Sequence, residues 1–313
     1  MLLVIGFILL IFGANRLVDS SSLLAKRLGV SDIAIGLTIV AFGTSSPELV
    51  VNIFASVNKN SDIVLGNIIG SNIFNILIIL GISAIIYPIN INKNTLFKEI
   101  PFTIISAVLI FILSNNLFVI ENDYIISRKE GIILLLFFAM FLYYTFTIMK
   151  KGVDKEEALI NNKGVLYHLF FIILGIILLT IGGKLIVDDA TSLATKLGIS
   201  QRMIAITIVA FGTSLPELAT SVVAAIKKNS DIAVGNILGS NVFNIFFIGG
   251  LSAIINPVKV SKGGNFDLII NIVITVILFL LFITGKKMKL GKLKGSILVL
   301  IYILYVIYIL KGI

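Results

Sequence analysis

Two nearly identical segments carry the residues whose types and spacing could do chemistry. AFGTSSPEL at 41–49 and AFGTSLPEL at 210–218 each place one glutamate, Glu48 or Glu217, inside a long apolar run. An acidic residue at the centre of a membrane helix costs roughly 2.5–3.5 kcal/mol on insertion scales, so such a residue indicates a functional site. No lysine or arginine shares either run. The two glutamates therefore favour cation binding over a buried ion pair.

Other oxygen-bearing side chains accompany each glutamate. Hydroxyl groups lie three and four residues before it, on the same face of a helix. GSNIFN at 70–75 and GSNVFN at 239–244 add a serine and an asparagine one helical turn apart. Ca²⁺ takes about 6–8 oxygen ligands and Na⁺ fits the same donors, whereas transition metals favour histidine or cysteine. The candidate side chains besides the glutamates are Thr44, Ser45, Thr213, Ser214, Ser71, Ser240, Asn75 and Asn244.

Proline and glycine predict where these helices break and pack. Pro47 and Pro216 lack an amide N–H, so each frees a carbonyl four residues earlier in its span. Irregular backbone at membrane depth is tolerated where it lines a cavity, and transporter helices use such carbonyls as ion ligands. The glycines of GNIIG at 66–70 and GNILG at 235–239 follow a small-xxx-small pattern that predicts close helix packing.

Composition places these motifs in a membrane. Of 313 residues, 58% are hydrophobic and 13% charged, against roughly 25% charged in soluble domains, and the mean hydropathy is +1.10. Apolar runs near 20 residues that do not alternate predict membrane helices rather than barrel strands. With no cysteine and one histidine, His168, the chain lacks thiolate and imidazole metal sites. The net charge is +9, but the lysines and arginines lie mostly between apolar runs, where membrane topology places them. No nucleic acid partner is therefore expected.

The chain is an internal duplication. A shift of 169 residues aligns Gly13 with Gly182 and Glu48 with Glu217 without a gap, and 30 of the 48 positions in 41–88 are identical in 210–257. Lipid-facing helices require only apolarity. Identity that includes serine, threonine, asparagine and glutamate therefore indicates a shared chemical requirement.

The spans predict an all-α integral membrane protein with ten transmembrane helices, arranged as two inverted five-helix repeats. An odd number of spans per copy makes the second copy enter the membrane from the opposite side. The first repeat occupies 1–150, a short linker 151–163, and the second repeat 164–313. The predicted spans are 1–25, 33–57, 64–87, 99–120, 131–149, 165–194, 203–226, 233–256, 266–285 and 295–311.

Charge counting orients the chain in a cell membrane. The loops after the odd-numbered spans hold 15 lysines and arginines, and the other loops and ends hold 8. The positive-inside rule then predicts a cytoplasmic linker and two extracellular termini. The apolar N-terminus is interpreted as a permanent span rather than a signal peptide. The lipid bilayer is thus one expected partner, and a monomer is compatible with the sequence.

These motifs resemble the Na⁺/Ca²⁺ exchanger branch of the calcium/cation antiporters. The resemblance covers the whole chain as ten spans, and its specific part is the duplicated GTSSPE with GSNIFN and GTSLPE with GSNVFN. It implies Na⁺/Ca²⁺ exchange by alternating access at a central cation site, with sliding of the first and sixth spans. It implies no cofactor and no enzymatic activity; Ca²⁺ and Na⁺ are the transported substrates.

The resemblance also implies roles for single residues. Glu48 and Glu217 match the central carboxylates, and Ala41 and Ala210 match backbone-carbonyl ligands for Na⁺. The threonine, serine and asparagine side chains named above match the remaining ligands. Some relatives carry aspartate at the position of Asn244, including the potassium-dependent branch. With two neutral asparagines the site is a dicarboxylate, which favours electrogenic, K⁺-independent exchange.

Other functions remain open from the sequence. H⁺/Ca²⁺ exchange is the first alternative, and K⁺-dependent Na⁺/Ca²⁺ exchange shares the same motif positions. A passive cation channel could use the same oxygen ligands, although a proline beside each glutamate in inverted copies suits alternating access better. An intramembrane enzyme would need a nucleophile with a base, and only the two glutamates could act as bases beside Ser45 and Ser214.

Overall fold

Helices dominate the computed structural model, which describes residues 2–115, 124–149, 164–196, 210–260, 262–284 and 288–311. Four two-residue strands, which the all-α prediction did not include, also occur: β1 (Ile89–Asn90), β2 (Ile125–Ile126), β3 (Val258–Lys259) and β4 (Lys289–Leu290). The helices are α1 (Leu2–Leu28), α2 (Asp32–Thr44), α3 (Ser46–Val57), α4 (Ser61–Ile86), α5 (Thr95–Ser114), α6 (Arg128–Met149), α7 (Val165–Lys196), α8 (Ala210–Thr213), α9 (Leu215–Ile226), α10 (Ser230–Ile255), α11 (Lys262–Ile283) and α12 (Lys292–Lys311).

Most of the predicted spans have a counterpart among these helices. In the described residues, eight helices are long and apolar enough to cross a membrane: α1, α4, α5, α6, α7, α10, α11 and α12. The pair α2 and α3 gives a ninth span that is broken at Ser45. Of the predicted seventh span, 203–226, only 210–226 lies within the described residues. The count of ten therefore stays a prediction.

Two compact units divide the chain differently from the two sequence copies. The first unit combines 1–47 with 144–239, and the second combines 48–143 with 240–313. Each unit therefore takes helices from both copies. The first holds α1, α2, α7, α8, α9, the first ten residues of α10 and the end of α6, and the second holds most of the remaining helices and all four strands.

Glycine contacts pack α1 against α7 in the first unit. A Cβ atom on Gly13 would lie 2.8 Å from the carbonyl oxygen of Gly175, and one on Gly6 would lie 2.8 Å from that of Gly182. These contacts pair rising numbers in α1 with falling numbers in α7, so the helices are antiparallel. Small residues allow such close approach of two backbones within a membrane.

The GNILG glycines pack α10 against α2 in the same unit. A Cβ atom on Gly239 would lie 2.7 Å from the carbonyl oxygen of Leu37, and one on Gly235 would lie 2.8 Å from that of Ile33. The packing role predicted for this motif is confirmed in the second copy. In the first copy, a Cβ atom on Gly66 or Gly70 would meet no described residue within 4 Å, and the segment equivalent to the Ile33–Leu37 part of α2 lies outside the described residues.

Glycines and short strand pairs join the helices of the second unit. Gly81 of α4 lies against Gly295 of α12, and Gly131 of α6 against Gly250 of α10, with a Cβ atom on Gly131 only 2.8 Å from the Gly250 carbonyl oxygen. β1 pairs antiparallel with β4, and β2 with β3. Each ladder connects a loop of one copy to a loop of the other.

Candidate functional site

Both GTS-x-PE motifs interrupt their helix at one residue, the serine of GTS. Ser45 ends α2 with φ −84° and ψ 9°, and Ser214 precedes α9 with nearly the same angles, φ −88° and ψ 6°. Pro47 and Pro216 follow two residues later, in the first turn of α3 and α9, where a missing N–H costs no helical hydrogen bond. The predicted interruption is confirmed in both copies.

Each glutamate lies in the first turn of the helix that follows this interruption. The first turn of a helix carries the positive end of the backbone dipole, which stabilises a carboxylate. The side chains of Glu48 and Glu217 are buried, with exposed fractions of 1% and 0%. The break in the helix therefore explains how an anion is held inside an apolar segment that has no lysine or arginine.

Glu217 belongs to a hydrogen-bonded cluster in the first unit. Ser45 Oγ donates to Glu217 Oε1 over 2.7 Å, and Thr44 Oγ1 donates to Asn236 Oδ1 over 2.9 Å. Asn236 Nδ2 in turn lies 2.9 Å from Ser221 Oγ and 3.4 Å from the backbone oxygen of Glu217. The structure thus brings the hydroxyls of the first copy to the carboxylate of the second.

The other candidates of the first unit precede Ser45 and Glu217 closely in the chain. The Ala41 carbonyl accepts hydrogen bonds from Ser45 N–H over 3.0 Å and from Thr44 Oγ1 over 3.3 Å. Ala210 begins the short helix α8, which ends at Thr213, and Ser214 N–H donates to the carbonyl oxygen of Phe211 over 3.2 Å. Thr213 and Ser214 are buried.

Glu48 and four other candidates lie in the second unit. Asn52 Nδ2 donates to the Glu48 backbone oxygen over 2.8 Å, one turn along α3. Ser71 of α4 and Ser240 of α10 are buried. Asn75 and Asn244 sit at π-helical turns, Asn75–Ile79 and Phe243–Gly249, and π turns inside α-helices are frequent at functional sites.

Four asparagines form a hydrogen-bonded network in the second unit. Asn75 Nδ2 donates to Asn241 Oδ1 over 2.9 Å, and Asn244 Nδ2 donates to Asn72 Oδ1 over 3.2 Å. Asn72 and Asn241 also donate to each other's backbone oxygens, over 3.1 and 3.4 Å. All four side chains are buried. Positions 72 and 241, like 75 and 244, are equivalent in the two copies.

Sequence reasoning missed several of these buried polar residues. Asn72 and Asn241 stand inside the GSN-x-FN motifs, and Asn236 stands inside GNILG, which we interpreted only through its glycines. All three are identical in the other copy, so duplication was the available signal. Asn52 and Ser221 are equivalent positions that differ in type, and only the structure reveals them.

The ligand types in both units suit a hard cation. Among the described residues no group of three or more histidine, cysteine, aspartate or glutamate side chains could hold a metal ion. The candidates are instead single carboxylates accompanied by hydroxyl, amide and backbone oxygens, which are donors for Ca²⁺ and Na⁺.

Comparison with known proteins agrees with this chemistry. The family described as "Sodium/calcium exchanger protein" matches residues 1–147 and 167–311. The chain belongs to this family. The exchanger family consists of transporters that carry Ca²⁺ and Na⁺ as substrates, and the chain is a multi-pass membrane protein. No cofactor is implied by membership.

Individual relatives of this exchanger chain cover 83% or more of its length. Inner membrane protein YrbG of Escherichia coli is 35% identical, over 83% of this chain and 81% of that protein. Sodium/calcium exchanger MaX1 of Methanosarcina acetivorans is 32% identical, over 98% and 97%. A structure of the sodium-calcium exchanger NCX_Mj, soaked with 10 mM Na⁺ and zero Ca²⁺, matches with a TM-score of 0.85 at 31% identity, over 97% and 96%.

Proposed function

We propose that this chain is a secondary active antiporter that exchanges Na⁺ for Ca²⁺ across the cell membrane by alternating access. The observation that carries the proposal is the pair of buried glutamates, Glu48 and Glu217, each in the first turn of a helix behind a one-residue break. Family membership supports the same conclusion. No enzymatic step is part of the proposal.

In this proposal both glutamates bind the transported cations. One Ca²⁺ needs two negative charges for balance, and each GTS-x-PE motif supplies one carboxylate. The hydroxyl and amide oxygens and the carbonyls of Ala41 and Ala210 would complete a set of about 6–8 oxygen ligands. Ser45, already bonded to Glu217, would be the ligand that links the two copies.

The neutral asparagines support Na⁺ coupling without K⁺. Asn75 and Asn244 add oxygen atoms but no charge, so a further monovalent ion would have no counter-charge at the site. Exchange of more than two Na⁺ for one Ca²⁺ would then move net charge across the membrane. We therefore propose electrogenic, K⁺-independent exchange.

The proposed architecture is ten spans in two inverted repeats, with both termini extracellular and the 151–163 linker cytoplasmic. The mobile element would be the pair α1 and α7, as the first and sixth spans. Their glycine contacts bring the backbones close enough for the two helices to move together. We propose the monomer as the transporting form.

The decisive experiment is ⁴⁵Ca²⁺ uptake into proteoliposomes loaded with Na⁺, while external Na⁺, K⁺ and pH are varied one at a time. The proposal requires uptake against a Ca²⁺ gradient that depends on internal Na⁺ and persists without K⁺. Uptake driven by a proton gradient alone would instead show an H⁺/Ca²⁺ antiporter. Downhill flux that no opposing Na⁺ gradient can reverse would show a channel.

A further inference from the structure

In the four buried asparagines of the second unit, hydrogen-bonding chemistry determines which amide atom, nitrogen or oxygen, faces each neighbour. A backbone carbonyl can only accept a hydrogen bond, so the amide nitrogens of Asn72 and Asn241 must be the atoms that face each other's backbone oxygens. Nitrogen and oxygen of an amide look alike in most structures. Here the backbone contact removes that ambiguity.

The amide orientation of Asn72 and Asn241 determines the amide orientation of Asn75 and Asn244. With its nitrogen on a carbonyl, Asn241 presents its side-chain oxygen to Asn75, and Asn72 presents its own to Asn244. Asn75 and Asn244 must therefore donate through nitrogen. Their amide oxygens are left on the opposite side of the amide group.

Those two oxygens are buried, and no described residue donates a hydrogen bond to them. Asn75 Oδ1 and Asn244 Oδ1 accept no hydrogen bond from any residue in the described part of the chain. A buried amide oxygen without a donor is costly, and most buried polar atoms have a partner. Such an oxygen atom can instead donate a lone pair to a bound cation.

We propose that Asn72 and Asn241 are positioning residues that turn the amide oxygens of Asn75 and Asn244 towards the transported cation. This inference rests on the proposed function. Without Asn72 or Asn241, the neighbouring amide could rotate and present N–H groups, which repel a cation. The network would thus hold oxygen, rather than nitrogen, in the ligand position.

The network also accounts for a neutral residue at position 244. An ionised aspartate there would place a carboxylate oxygen against Asn72 Oδ1, oxygen facing oxygen. Asn72 cannot rotate its amide to relieve this contact without losing its bond to the Asn241 backbone. Asn72 therefore favours an amide at 244 over a third carboxylate, which makes it a determinant of site charge.

A double-mutant cycle tests the proposal, because the duplicated network offers matched and crossed pairs. The matched pairs are Asn72 with Asn244 and Asn241 with Asn75, and the crossed pairs are Asn72 with Asn75 and Asn241 with Asn244. Each residue is changed to Ala singly and in these pairs. The readout is the Ca²⁺ concentration for half-maximal Na⁺-driven uptake, with Asn94→Ala at an exposed position as a control.

The proposal predicts that Asn72→Ala raises this concentration roughly 10-fold, as loss of an outer partner of a metal ligand commonly does. Adding Asn72→Ala to Asn244→Ala should then change little, because its effect acts through Asn244. In the crossed pair the two fold-changes should multiply. Multiplication in the matched pairs, or equal coupling in matched and crossed pairs, would overturn the proposal.

A second measurement separates this inference from the proposed function. In ¹⁵N-asparagine-labelled protein, Asn72→Leu, which keeps the branched shape of the side chain but removes its hydrogen-bonding atoms, should shift the side-chain NH₂ resonances of Asn244 far more than those of Asn75. Equal shifts would overturn the inference even in an active exchanger. A wild-type protein without Na⁺-driven uptake but with the selective shift would overturn only the proposed function.

Discussion

Ser45 Oγ donates a hydrogen bond of 2.7 Å to Oε1 of Glu217, which joins the helix break of the first copy to the carboxylate of the second. Both side chains are fully buried. A hydrogen bond to a charged group is worth about 1.5–3 kcal/mol, more than one between neutral groups. The contact fixes one carboxylate oxygen and makes the two copies chemically dependent on each other.

Ser45→Ala should weaken Ca²⁺ transport because it removes this bond and one proposed ligand. We expect the Ca²⁺ concentration for half-maximal uptake to rise roughly 10-fold or more, since each 1.4 kcal/mol is a factor of about ten. Ser46→Ala is the matched control, because Ser46 Oγ donates to the Phe42 carbonyl oxygen, four residues earlier, and to no other group in the described residues. Similar affinities in both variants would mean that Ser45 is peripheral.

Gly239→Ala should destabilise the protein, whereas Gly183→Ala in α7, where the first copy carries Ala14, should not. The new methyl group at 239 would lie 2.7 Å from the Leu37 carbonyl oxygen, and overpacking of this kind typically costs about 1–3 kcal/mol. A Cβ atom on Gly183 would lie 3.8 Å from the Gly212 carbonyl oxygen, an ordinary van der Waals contact, and alanine is the better helix former by about 1 kcal/mol. Thermal unfolding in detergent measures the stability of both variants. Equal shifts of their unfolding midpoints would contradict the close packing of Gly239 against Leu37.

Much of the fold could be predicted from the sequence because membrane helices leave a direct signal. Long apolar runs predicted the spans, and proline predicted the two breaks. The position of each break, at Ser45 and Ser214, depends on backbone angles that apolarity does not encode. Each compact unit contains helices from both copies because of contacts such as Gly13 with Gly175, between residues far apart in the chain.

The candidate residues were predictable where they are both polar and duplicated. Glu48, Glu217, Asn75 and Asn244 meet that condition. Their partners were not, because hydrogen bonds such as Thr44 to Asn236 link positions 192 residues apart. A pattern within one helix shows which side chains share a face but not which helix lies opposite.

The topology prediction places the 151–163 linker inside the cell and both termini outside. The chain has no cysteine, so single cysteines can be introduced without background. A cysteine at Ala158 should resist an impermeant thiol reagent applied to intact cells, and one at Ser127 should react. The reverse pattern of labelling would invert the proposed orientation.

The coupling prediction is electrogenic exchange that needs Na⁺ but not K⁺. Moving one net charge through 100 mV is worth about 2.3 kcal/mol, so a membrane potential should bias the direction of exchange. We expect a valinomycin-imposed potential to change the uptake rate, and Asn244→Asp to alter cation preference. Voltage-insensitive exchange would point to two Na⁺ per Ca²⁺, and a strict K⁺ requirement would contradict the role given to the neutral asparagines.

The most direct test of the account is Na⁺-driven ⁴⁵Ca²⁺ uptake by Glu48→Gln and Glu217→Gln in proteoliposomes. Each variant removes one of the two charges that balance Ca²⁺ while keeping the side-chain shape, with Glu130→Gln, which lies outside both clusters, as the control. The account predicts that both variants fold, shown by an unfolding midpoint near that of the wild type, and that both lose uptake, while Glu130→Gln retains it. Wild-type uptake by either folded variant would contradict the central claim.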